Sequence, residues 1–155
     1  MTSEQKLNFK KRLFQKAITI IEQRIATTAT AMQNAQDAAN EEEKSSAGDK
    51  YETSRAMSHL EKDMFAKQAE ENKKELAFLG TINYEQLYDV VVAGSFIRCN
   101  DCAFFIAAGL GKIIFEEETI FLLSPNAPLA KLFYNKKEGD PVQFNKKQEF
   151  IIELF

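Results

Sequence analysis

The sequence predicts an α+β chain. An antiparallel α-helical coiled-coil hairpin spans residues 1–79, and a small, mostly antiparallel sheet domain with one short helix spans 80–155. Three observations predict this. Residues 1–75 are rich in Ala, Glu, Gln and Lys, whereas 88–155 are rich in Val, Ile and Phe. Of 13 Phe, only Phe9, Phe14 and Phe65 precede Lys74, and all 3 Pro lie beyond residue 124. Apolar residues recur at helical steps in the first half and in short runs broken by turn residues in the second. Gly80-Thr81-Ile82-Asn83 marks the joint between the two parts.

In the first half, Leu7, Phe14, Ile18, Ile21, Ile25, Met32, Ala35 and Ala39 recur at steps of three and four, with gaps at Lys11 and Thr28. This is a heptad seam, narrower than the stripe of a core-packed helix. A helix from about Gln5 to about Glu43 would be roughly 55–60 Å long at 1.5 Å per residue. Lys44-Ser45-Ser46-Ala47-Gly48 breaks the pattern and predicts a turn. A second helix follows to about Leu79, with Met57, Leu60, Met64, Ala69 and Phe78 as its apolar positions. A short turn favours an antiparallel neighbour in the same chain over bundling with a partner.

In the second half, Val90–Ile97 reads as a strand, Asn100-Asp101 as a turn and Ala103–Ala107 as the returning strand. Gly109-Leu110-Gly111 is a further turn. Strands over Lys112–Phe115 and Thr119–Leu123 flank the acidic turn Glu116-Glu117-Glu118. Ser124-Pro125-Asn126-Ala127-Pro128 combines polar capping residues with proline and starts a short helix over Leu129–Tyr134. Gly139-Asp140-Pro141 turns into a strand over Val142–Asn145, and Gln148–Leu154 is the last strand. Five or six strands and one helix make a sheet with one face covered.

Composition excludes several classes of function. The net charge of −3 gives no bulk attraction to free nucleic acid. No apolar run approaches the roughly 18–20 residues that span a bilayer. Met1–Arg12 is polar and lysine-rich with no apolar signal core behind it, so a cytoplasmic location is expected. Two cysteines are too few for a disulfide scaffold. Cys99-Asn100-Asp101-Cys102 has no second pair and no nearby His, which argues against zinc. Across a two-residue turn the pair would lie within disulfide range, at a Cα separation of about 5.5 Å, but a reducing compartment favours free thiols. His59, the only histidine, lies mid-helix among polar residues and reads as surface. Gly109-Leu110-Gly111 lacks the rest of a phosphate loop.

The candidate site is Gly48-Asp49-Lys50-Tyr51-Glu52. If the second helix starts at Asp49, a spacing of three puts the two carboxylates on one face, where they could hold a divalent cation. The same residues make a capping box, with Asp49 as the cap and Glu52 reaching back. Local sequence leaves both readings open. Glu41-Glu42-Glu43 reads as a solvated helix end opposed to the macrodipole.

The block Ser124-Pro125-Asn126-Ala127-Pro128-Leu129-Ala130-Lys131-Leu132, followed by Lys136-Lys137-Glu138-Gly139-Asp140-Pro141-Val142, resembles the C-terminal domain of the Gre-type bacterial transcript cleavage factors. That family also has a long N-terminal hairpin whose tip carries Gly-Asp-x-x-Glu, matched here by Gly48, Asp49 and Glu52. The resemblance implies an FKBP-like C-terminal domain and a hairpin that enters the secondary channel of bacterial RNA polymerase. It implies that Asp49 and Glu52 help hold the second Mg2+ there while the polymerase cleaves the 3′ end of backtracked RNA. It assigns Ser124, Pro125, Pro128, Leu129, Gly139 and Asp140 to structure or docking on the polymerase. It implies a monomeric, non-enzymatic factor, away from membranes, with no tightly bound cofactor and a Mg2+ shared with the polymerase. Where the family has a small apolar and a hydroxyl residue after Gly-Asp, this chain has Lys50 and Tyr51, and Thr53-Ser54 stand for its Asn-Ala step. The rival readings are a Gre-fold polymerase-binding regulator without cleavage activity and a prolyl isomerase, which would need an open, aromatic-lined apolar pocket.

Overall fold

Two long helices open the chain, α1 over Ser3–Glu42 and α2 over Gly48–Leu79. The structure, a computed structural model, describes the backbone of residues 1–42 and 48–155 and the side chains of 1–41 and 52–155. Of the turn expected over 44–48, residues 44–47 lie outside the described residues, as does Glu43, while Gly48 is already the first residue of α2. The side chains of Glu42, Asp49, Lys50 and Tyr51 also lie outside the described residues. The chain forms two compact units, Met1–Ile20 with Glu75–Phe155, and Ile21–Lys74.

In the first unit, α1 starts on a reciprocal cap. The Gln5 amide donates to Thr2 Oγ1 at 3.2 Å, and the Thr2 amide donates to Gln5 Oε1 at 2.8 Å. The strands are β1 (Phe96–Arg98), β2 (Ala103–Ile106), β3 (Gly111–Phe115), β4 (Glu118–Leu123), β5 (Pro141–Phe144), β6 (Lys147–Phe150) and β7 (Glu153–Leu154), with helix α3 (Pro128–Phe133) between β4 and β5. Five of them form one sheet in the order β3-β4-β2-β1-β7, and β5 and β6 form a separate hairpin. All pairings are antiparallel except β2 with β4, which run parallel because β3 returns along the outer edge.

Period-two alternation sorts this sheet into two faces. Ile97, Phe104 and Ile106 point into a core shared with Ala130 and Phe133 of α3, with Val142, and with Leu154. The opposite face carries Phe96, Phe105, Ile120 and Leu122, all buried. The first turns of α1 cover it: the Phe9 ring packs edge-on against Phe96, Phe115 and Phe155 at centroid distances of 5.0, 5.5 and 6.1 Å. Leu13 and Ala17 are fully buried along the same helix, and Phe14 stacks on Tyr84 at 4.6 Å. The expectation of one covered face is therefore corrected to two. The physical reason is the Phe load of the sheet, since alternate residues on both sides are apolar and neither side can face water.

Two strand expectations change. Val90–Ile97 is not one strand; only Phe96–Arg98 pairs. Gly94 breaks the run at φ +92°, where its amide donates to the Ile106 carbonyl and an added Cβ would lie 2.9 Å from Ile82 Cγ2. Gln148–Leu154 divides between two sheets, β6 pairing with β5 and β7 with β1. The Glu116-Glu117 and Asn145-Lys146 turns have positive φ at both residues, the twist that suits two-residue hairpins. The Arg12 guanidinium holds Glu116 at 2.7 and 3.1 Å.

In the second unit, α1 turns Ile21, Ile25, Thr28, Met32, Ala35 and Ala39 inward, as its seam predicts. On α2 the inward residues are Ser54, Ser58, Phe65, Ala69 and Asn72. Met57, Leu60 and Met64, expected in the seam, are 59, 70 and 51 % exposed. Burying that trio would rotate Phe65 and Ala69 outward, because consecutive helical residues lie about 100° apart. The small residues of the observed phase let the helix pack closely, and Lys62 Nζ donates to Gln36 Oε1 at 3.2 Å between the two helices.

Candidate functional site

The acids picked out by sequence fall in the opening turn of α2. Gly48 is its first residue, so Asp49 and Glu52 belong to one continuous helix and share a face by their spacing. Glu52 is exposed, while the side chain of Asp49 lies outside the described residues, and with it the capping-box alternative. Among the described residues no cluster of three or more His, Cys, Asp or Glu is arranged to hold a metal ion. His59 is exposed, as expected.

The second block lies over β4, α3 and the start of β5. Ser124 follows β4 directly, and its carbonyl accepts from the Ala127 amide at 2.9 Å. Helix α3 begins with Pro128, whose missing N–H is no loss at that position. The expected polar cap is corrected: Ala127 occupies the N-cap in extended conformation and makes no side-chain cap. Pro125 is fixed through its carbonyl, which accepts from Tyr134 Oη at 2.9 Å. Leu129 leans on the core, and Pro128 is exposed. Gly139 sits at φ +87° with open space around it, so backbone conformation alone favours glycine there. Asp140 Oδ2 accepts from the Lys137 amide at 2.8 Å and closes the same turn.

The fold also builds a cleft that local sequence did not signal. It has a volume of about 380 Å3 and is walled by Phe104, Phe121, Leu129 and Phe144. The Phe104 and Phe144 rings meet edge to face at 5.7 Å. At its polar end, Lys147 Nζ bridges Asp101 and Glu149, lying 3.0 Å from Glu149 Oε1. The ammonium of Lys147 is held well above its usual range by its hydrogen bonds to Asp101 and Glu149. Glu149 is only 3 % exposed, and its Oε2 has no hydrogen-bond partner among the described residues. The alternation of β6 misleads a sequence reader here, because Phe150 is 46 % exposed and the acid beside it is buried.

Cys102 lines this cleft and Cys99 is buried in the core; both are free thiols. The Cys99 amide donates to the Cys102 carbonyl at 2.8 Å across the Asn100-Asp101 turn. Burial pushes the Cys99 thiol up to about 12, helped by Cys102 and Glu149. Cys102 is raised by burial first and then by Glu149 and Asp101.

No known family model matches this chain, and no curated protein matches it. A solved structure described as that of the transcription factor Gfh1 is similar over 88% of this chain and 92% of that one, at 15% identity and a TM-score of 0.38. Among the described residues, no helix is long and apolar enough to cross a membrane.

Proposed function

We propose that this chain is a Gre-type transcription factor that binds bacterial RNA polymerase and stimulates its cleavage of backtracked RNA. The observation that supports this reading best is where the two sequence blocks fall. Gly48-Asp49-x-x-Glu52 opens the second of two long helices, and Ser124–Val142 runs from the end of β4 through α3 into β5. Asp49 and Glu52 supply the oxygen ligands that Mg2+ prefers, and such an ion is usually completed by phosphate and water. Two carboxylates alone hold Mg2+ weakly, so the factor is not itself a nuclease. The polymerase and the RNA complete the site, and the second ion activates the attacking water. In this reading Ser124, Pro125, Pro128 and Leu129 dock on the polymerase, while Gly139 and Asp140 shape the turn beside them. The factor works in the cytoplasm as a monomer and shares Mg2+ with its partner.

The test is a stalled, backtracked complex of purified bacterial RNA polymerase. Added factor should increase 3′ cleavage, and Asp49→Ala/Glu52→Ala should abolish the increase while leaving binding intact. Lys50 and Tyr51, which replace the family's small residues beside the acids, favour a second reading, a polymerase-binding regulator without cleavage. Binding without added cleavage selects that reading, and absence of binding rejects both.

A further inference from the structure

The cleft beside α3 joins three features that do not belong together unless something occupies it. Its walls are aromatic and aliphatic, from Phe104, Phe121, Leu129 and Phe144. Its polar end holds two carboxylates, Asp101 and Glu149, against one ammonium, Lys147, leaving one uncompensated negative charge. Glu149 is 3 % exposed, and its Oε2 is unpartnered among the described residues. A buried acceptor without a donor is destabilising by about 1–3 kcal/mol, more when charged, and such groups are rare in native folds. Its cross-strand partner Val142 is buried in the apolar core, so the carboxylate sits where an apolar side chain would carry no such penalty.

We propose that this cleft binds a small organic cation, an ammonium group carried on an apolar stem or ring. The ammonium donates to the Glu149 carboxylate and neutralises the excess charge of the Asp101–Lys147–Glu149 cluster. The Lys147 side chain is 59% exposed and keeps its pairing with Asp101 as it yields Glu149 to the ligand's N–H. The apolar part of the ligand fills the space between Phe104, Phe121 and Phe144, whose ring faces attract a cation passing over them. A volume of about 380 Å3 lies in the range of small-molecule sites. A neutral ligand of the same shape would leave the carboxylate without a charged donor, and an anionic one would be repelled. The inference shares only Leu129 with the polymerase reading, and none of the cleft residues belongs to Gly48–Glu52, so the two are tested separately.

The experiment is an NMR titration of the full chain with 2-phenylethylamine, its isostere 2-phenylethanol and a proline-containing peptide. The amides of Phe104, Phe121, Phe144 and Glu149 report on the cleft. The amine should bind about tenfold more tightly than the alcohol, the gain of one charge-assisted hydrogen bond. Glu149→Gln, which keeps the shape and removes the charge, should erase that difference and leave the alcohol unchanged. Equal binding of amine and alcohol to the native chain overturns the proposal, and that comparison holds even if the variant fails to fold. So does an amine that shifts none of these amides at millimolar concentration. A proline peptide that binds more tightly than the amine and ignores Glu149→Gln also overturns it, and makes the cleft a prolyl groove instead.

Discussion

Arg98 reaches across a whole strand to grip Glu118. Its Nε and Nη2 lie 2.9 Å from the two carboxylate oxygens, although β2 runs between β1 and β4. The register explains how. Arg98 pairs with Ala103, and Ala103 with Ile120, so a residue with almost no side chain lies under the guanidinium. The same guanidinium contacts Glu153 on β7 and lies 5.1 Å from the Phe96 ring centroid. One side chain therefore ties together three of the five strands of the sheet, reaching over a fourth.

Arg98→Ala should lower stability by roughly 1–3 kcal/mol, a range discounted because the group is about 29% exposed and partly screened. The larger part of the loss comes from two carboxylates left facing each other. Adding Glu118→Gln and Glu153→Gln to that variant should recover part of it. Urea denaturation of the single and triple variants measures both effects.

Phe9 places a ring among Phe96, Phe115 and Phe155 at 6 % exposure. Phe9→Ala should destabilise the chain by about 3–5 kcal/mol through lost burial and the cavity left behind. A fragment limited to residues 80–155 should fail to give a cooperative thermal transition, because one face of its sheet would be bare. A sharp, reversible melt of that fragment would refute the role assigned to α1.

Lys10 is fully buried, and its Nζ donates to the Gln86 carbonyl at 2.7 Å under the face of Tyr88. Burial lowers its pKa from 10.5 to about 8. Between these values the unfolded chain binds more protons than the folded one, so stability should rise with pH through that window. The gain is on the order of 3 kcal/mol at most. Lys10→Met should remove this slope, which chemical denaturation at pH 7.5 and 10 reads directly as a difference between the two proteins.

Cys99 carries a thiol pushed up to about 12, chiefly by burial. At pH 8 almost none of it is thiolate, the reactive form. Alkylation by iodoacetamide should therefore leave Cys99 unmodified in the folded protein and modify it in urea. Cys102, half-buried at the cleft, should label first. Above pH 9 the folded chain retains a proton that the unfolded chain gives up, so this residue should lower stability as pH rises toward 12, opposite in sign to Lys10.

Much of the fold is determined by local sequence. Heptad steps from Ile18 to Ala39 mark the inward face of α1, and turn residues at Asn100-Asp101 and Gly139-Asp140 fall where the chain bends. Proline at 128 starts α3, and the β3 and β4 runs lie close to their expected bounds. These features are legible because each is fixed by contacts within a few residues. The candidate acids are legible for the same reason, as an i, i+3 pair at a helix start.

Tertiary structure decided the rest, because periodicity says which residues share a face and not what will cover it. Phe9, Leu13 and Ala17 could be assigned to the sheet only once the sheet's second face was known to be apolar. Met57, Leu60 and Met64 stay exposed because the inward phase of α2 belongs to Phe65 and Ala69. Glu149 is buried and Phe150 exposed because the β5–β6 hairpin leaves the main sheet and presents its other side to the core. A two-residue turn sets that register, and with a side-chain period of two a single step decides which of the two neighbours goes in.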